Sequence, residues 1–72
     1  MGRYRPSDEE KEFNLGLGRY LRKVRKQNGM TQDEVAALFD LTRQTICNWE
    51  RGIHPVSVYQ YKKFKRLLGA IR

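Results

Sequence analysis

The chain is short of the residues that small proteins use for covalent staples or for catalysis. Its 72 residues include one cysteine, Cys47, one histidine, His54, and two prolines. A lone cysteine closes no internal disulfide, which fits a reducing compartment. No second His or Cys stands at ligand spacing, which argues against a zinc site. Acidic residues are scarce, eight against fifteen Lys and Arg. They form no carboxylate pair around a cleft, and no nucleophile stands beside a base, so an enzyme is not expected. No window approaches the length of a membrane span, and the start MGRYRPSDEEKEF lacks the apolar stretch of a secretory signal. The expected address is the cytoplasm, with no membrane contact and no cofactor. Strand-like alternation, internal repeats and low-complexity tracts are also missing. That removes the strand-borne aromatic platform used to bind single-stranded RNA.

What remains is a single small domain with a modest core and an uneven charge. The net charge is +7. Residues 1–12 hold three basic and four acidic side chains, a sum of −1, whereas residues 13–72 hold twelve and four, a sum of +8. A body that basic attracts polyanions, nucleic acid before anionic membrane, although solubility alone is the bland reading. The same asymmetry divides the chain into an N-terminal arm or helix extension, 1–12, and a folded domain, 13–72. Arg3, Tyr4 and Arg5 before Pro6 read as an arm that enters a minor groove or tracks phosphates, with disorder as the alternative.

Helix signals recur along the chain. Ser7 and Glu10 form a capping box. Phe13, Leu17, Tyr20, Leu21 and Val24 then repeat at helical spacing. Gly16 and Gly18 weaken this stretch by about 1 kcal/mol each relative to Ala. Two outcomes are open: one helix over about 8–28, or a short turn and a helix from about 15. Its other side carries Arg19, Arg22, Lys23 and Lys26. Asn28-Gly29 ends it. Thr31 and Glu34 form a second capping box, with Met30 placed to staple onto Val35. Val35, Ala36, Leu38 and Phe39 supply the buried side of a helix near 32–39. Thr42 caps a third helix near 43–51, Leu41 can staple onto Ile46, and Gly52 ends it. After His54-Pro55, Ser57 caps a fourth helix. Its core side is read as Tyr61, Phe64, Leu67, Leu68 and Ile71. Tyr59, Lys62, Lys63 and Arg66 are read as its solvated side rather than a membrane-binding face. The fold class is all-α, four helices with short connections.

The third helix has few residues bound for a core. Ile46 and Trp49 set an inward direction, and Gln44, Asn48 and Arg51 lie opposite, with Arg43 and Thr45 flanking near its start. A major groove admits one α-helix. Gln or Asn can pair there with adenine, and Arg with guanine. Two short helices joined by three residues have the spacing of a helix-turn-helix. The free N–H groups after Thr31 suit a phosphate, aided by Gln32. Arg22 and Lys23 are candidates to neutralise phosphates, and His54 is a loop residue near them. Cys47 faces outward between Gln44 and Asn48. It reads as a passive side chain against a thymine methyl rather than a redox switch.

The run MTQDEVAALFDLTRQTICNWERG resembles the helix-turn-helix of the Cro/cI repressor family, also called the XRE family. The resemblance rests on Thr31-Gln32, Ala36, Ile46, Trp49 and Glu50-Arg51-Gly52. The upstream LRKVRKQNGM and downstream Leu67-Leu68-Gly69 extend it over about residues 15–69. It implies a compact lambda-repressor-like domain of four to five helices that binds operator DNA as a dimer. It also implies that Gln32 touches phosphate and that Thr42, Arg43, Gln44, Thr45 and Asn48 occupy the groove. Arg51 then reaches the sugar-phosphate backbone, and Arg25 pairs with Glu50. Two departures stand out. Asp40 sits where the family commonly has Gly, and the chain stops after Ile71, where a fifth helix usually follows. The resemblance therefore leaves the dimer contact unassigned. The function expected is a sequence-specific double-stranded DNA-binding regulator, a repressor, homodimeric at least on DNA. The alternative is an antitoxin-like or other interaction module that binds DNA only with a protein partner.

Overall fold

The structure, a computed structural model, describes residues 5–69. Four α-helices follow in order: α1 Asp8–Gln27, α2 Gln32–Phe39, α3 Arg43–Glu50 and α4 Val58–Phe64. The last widens into a π-helical turn over Lys65–Gly69. Each helix opens on a side-chain cap, because the first N–H groups of a helix have no partner within it. Ser7 and Glu10 bond reciprocally at 2.9 and 3.1 Å, and Thr31 and Glu34 at 2.8 and 3.1 Å. Thr42 accepts from the Thr45 amide and Ser57 from the Gln60 amide.

The first three helices end in the same way, on a left-handed residue: Gly29 at φ 69°, Asp40 at φ 59° and Gly52 at φ 72°. The amide of the next residue then reaches back five positions, Met30 to Arg25, Leu41 to Ala36 and Ile53 to Asn48. This is a Schellman ending, and it satisfies carbonyls that a helix end would otherwise leave open. Two of these endings, at Met30 and Leu41, drop an apolar side chain onto the core. Asn28 adds a tie at the end of α1: its Nδ2 donates to the Val24 carbonyl at 2.8 Å and to that of Leu68 at 3.1 Å.

Of the two readings of the first segment, the long helix is the one formed. α1 runs unbroken through both glycines, and residues 8–12 are its first turn rather than a separate piece. Gly18 is where α3 comes closest: a methyl there would collide with the carbonyl oxygens of Trp49 and Glu50. Gly16 faces open space. The core gathers Leu21 and Val24 of α1, Val35, Ala36 and Phe39 of α2, Ile46 and Trp49 of α3, and Phe64 and Leu68. Phe39 is its centre, edge-on to Trp49 at 6.3 Å between centroids and tilted against Phe64 at 5.8 Å.

Three residues read as core from their spacing are exposed instead: Phe13, Leu38 and Leu67. Phe13 lies on the part of α1 that extends past α3. Leu38 sits about 100° from Val35, Ala36 and Phe39 taken together, since one residue turns an α-helix by that angle. Leu67 falls in the π turn, whose wider winding rotates it away from Phe64 while Leu68 stays in the core. Arg3, Tyr4 and Ile71 lie outside the described residues.

Candidate nucleic-acid interface

The polar side of α3 is presented by its apolar side. Ile46 and Trp49 are buried and Glu50 is turned into an ion pair, so the side of the helix that carries Arg43, Gln44 and Asn48 is the one left toward solvent. Thr42, Arg43 and Gln44 are exposed, while Thr45, Cys47 and Asn48 are half-buried. The groups are partly organised among themselves. Gln44 Nε2 donates to Asn48 Oδ1 at 2.9 Å, one helical turn on. The hydroxyls of Thr42 and Thr45 lie 3.0 Å apart. Arg51 is the exposed C-cap of α3, and His54 is exposed in the loop beyond it.

α3 is held at its far end by a charged network. Arg25 Nε donates to Glu50 Oε2 at 2.6 Å and Nη2 donates to Oε1 at 3.0 Å, a two-pronged pair. Nη1 donates to the Met30 carbonyl at 2.8 Å. Gln32 Nε2 donates to Glu50 Oε1 at 3.1 Å. One carboxylate thus joins the end of α1, the start of α2 and the end of α3. The Arg25 and Glu50 side chains are only 10 % and 5 % exposed. The hydrogen bond to Glu50 raises the Arg25 pKa above its ordinary value, with burial working against it and the charge of Glu50 adding to it. The guanidinium is therefore a permanent cation. Gln32 is turned into this network by Glu50, which leaves one amide hydrogen and the amide oxygen for another partner.

A hollow of about 670 Å³ opens beside the start of α2. Its walls include Lys26, Gly29, Thr31, Gln32, Asp33 and Arg43. The Thr31 hydroxyl caps the Glu34 amide, so the hydroxyl oxygen of Thr31 is already an acceptor. The amides of Gln32 and Asp33 lie in the first turn beside Lys26 and Arg43, and the positive end of the helix adds to their pull on an anion. The structure thus brings Thr31, Gln32 and Arg43 to one place. Arg22 and Lys23 are exposed on α1, one turn before Lys26, and do not line this hollow. In the sequence Lys26 is only one member of a basic stripe. Its four-residue spacing from Arg22 is a signal of shared face, but only the packing shows that α1 ends beside Arg43.

Among the described residues no group of three or more His, Cys, Asp or Glu could hold a metal ion. No helix among them is long and apolar enough to cross a membrane. A family model described as helix-turn-helix matches residues 21–70, from the middle of α1 through α2, the turn, α3 and α4. No curated protein matches the chain.

Proposed function

The chain belongs to the helix-turn-helix family, DNA-binding domains of the broad Cro/cI superfamily, and from that premise we propose that it is a sequence-specific regulator of transcription, a repressor. The observation that carries this reading is the third helix. Its buried Ile46 and Trp49 leave Arg43, Gln44 and Asn48 to the outside, and the Arg25–Glu50 pair clamps its far end. In the proposed mechanism Arg22, Lys23, Arg51, His54 and the hollow at Thr31-Gln32 meet phosphates and release counterions. α3 then lies in one major groove, with Thr42, Arg43, Gln44, Thr45 and Asn48 against base edges. Two subunits read half-sites about 34 Å apart, and occupancy of a promoter blocks transcription.

The test is selection of bound sites from random duplex DNA, then binding measurements on two classes of variant. Gln44→Ala relaxes the preference at one position, at about 1–3 kcal/mol of discrimination. Arg22→Ala or Lys23→Ala weakens binding to every sequence and lowers the salt slope by about one. Equal loss on selected and random DNA for Gln44→Ala refutes base reading. The alternative, an antitoxin-like module that binds DNA only with a protein partner, predicts that the isolated chain selects nothing.

A further inference from the structure

A second surface is built on the other half of α1. Between the first half of that helix and α4 runs an apolar groove of about 480 Å³, lined by Phe13, Leu17, Val56, Val58 and Tyr61. Phe13 and Val58 stand 68 % and 70 % exposed at its edges. Isolated exposed apolar side chains are ordinary, but a contiguous groove flanked by charge marks an interaction site. Its two walls differ in sign. Glu12 lines the α1 wall, and Glu9 precedes Phe13 by one helical turn on the same side. On the α4 wall Lys62 comes one turn after Val58, and Lys65 one turn after Tyr61, with its Nζ 5.9 Å from the Tyr61 ring centre.

We propose that this groove seats a second copy of the chain across a two-fold axis running along it. Two observations choose that occupant. DNA is a poor one, because the α1 wall repels phosphate and the lining is apolar. A uniformly acidic or basic partner meets one wall of its own sign, whereas a second copy brings one wall of each. A two-fold along the groove sets each α1 against the other copy's α4, acid to base, while a two-fold across it sets like on like. The completion of this pairing on DNA rests on the DNA-reading proposal above. The patch is smaller than the roughly 800 Å² per partner of a stable interface, so self-association is weak in free solution and is completed on DNA.

The experiment compares the wild-type chain with Val58→Glu, Lys62→Glu and the double variant Glu12→Lys/Lys62→Glu, after thermal melting confirms that each folds. Sedimentation equilibrium reads self-association up to millimolar concentration. Titration of DNA carrying one or two selected half-sites reads cooperativity. The expected result is weak self-association and cooperative filling of two half-sites by the wild type. Val58→Glu and Lys62→Glu abolish both and lose at least about tenfold on paired half-sites while keeping single half-site affinity. The charge-swapped double variant regains self-association. Wild type that stays monomeric and fills two half-sites independently overturns the proposal, as does Val58→Glu or Lys62→Glu with unchanged association. If the chain selects no DNA, the regulatory reading fails on its own account and sedimentation alone decides the groove.

Discussion

Glu50→Gln is the sharpest probe of how this small domain holds its third helix. The substitution keeps the size of the side chain and removes its charge. Arg25 is then a nearly buried guanidinium that has lost its counter-charge and one prong of a two-pronged partner, keeping the Met30 carbonyl and at most one amide oxygen. An amide offers one acceptor where the carboxylate offered two, and its NH₂ group faces donors. Breaking a buried pair from one side costs about 3–5 kcal/mol, and the surviving Met30 bond argues for the lower end, ~3 kcal/mol. A domain of this size has a total stability of roughly 4–11 kcal/mol, so the loss is a large fraction of it. At about 4–8 °C per kcal/mol the melting temperature falls by roughly 12–24 °C. Circular dichroism melts at neutral pH measure it. Raising salt leaves the difference nearly intact, because a buried pair is weakly screened. The double variant Arg25→Met/Glu50→Leu returns to within about 1–2 kcal/mol of wild type, since no charge is stranded. The residue of that cost is the Met30 carbonyl and the Gln32 amide, which lose partners. The sign of the pH effect comes from the raised Arg25 pKa. A cation held more tightly in the fold stabilises it fully below its unfolded pKa, and the contribution is lost only as pH climbs through the folded one, far into the alkaline range. Arg25 therefore adds no pH dependence near neutrality. A Glu50→Gln melt within about 3 °C of wild type refutes the clamp.

The two helical glycines predict opposite outcomes for one substitution. Gly16→Ala meets no neighbour within 4 Å and gains helix propensity, so it stabilises by up to about 1 kcal/mol. Gly18→Ala drives a methyl into the Trp49 and Glu50 carbonyl oxygens, and net destabilisation of about 1–2 kcal/mol remains after the same propensity gain. Urea titrations read both, and equal effects at the two sites disprove the close approach of α1 and α3. Asp40→Gly places at the second Schellman ending the residue that the first and third already use. Removing the left-handed penalty stabilises by about 1 kcal/mol, and a lower urea midpoint for this variant contradicts the account.

Most of the helix boundaries were legible because they are written locally. Ser7, Thr31, Thr42 and Ser57 each cap a helix through an amide three residues on, and Asn28-Gly29 and Gly52 close the helices before them. Periodicity was less dependable at Phe13, Leu38 and Leu67. A helical period tells which residues share a side, not whether anything packs against that side. Phe13 continues the stripe of Leu17 and Leu21 beyond the reach of α3. The winding of the last turn, which moves Leu67 outward, has no local signature.

The candidate interface divides in the same manner. Arg43, Gln44 and Asn48 could be picked out from the sequence, since Ile46 and Trp49 set the inward direction and these three lie away from it. The Arg25–Glu50 pair was expected from the resemblance and is formed, but the entry of Gln32 into it, the gathering of Lys26 with Arg43 at the start of α2, and the groove of opposite walls could not be picked out. Caps, turns and helix faces depend on contacts within a few residues, and the sequence by itself determined them. The place of Gln32 in the clamp, the hollow and the groove depend on where four separate helices come to rest. Only the tertiary structure decided that, because the burial of Phe39, Trp49 and Phe64 sets the angles between helices and no residue carries that information alone.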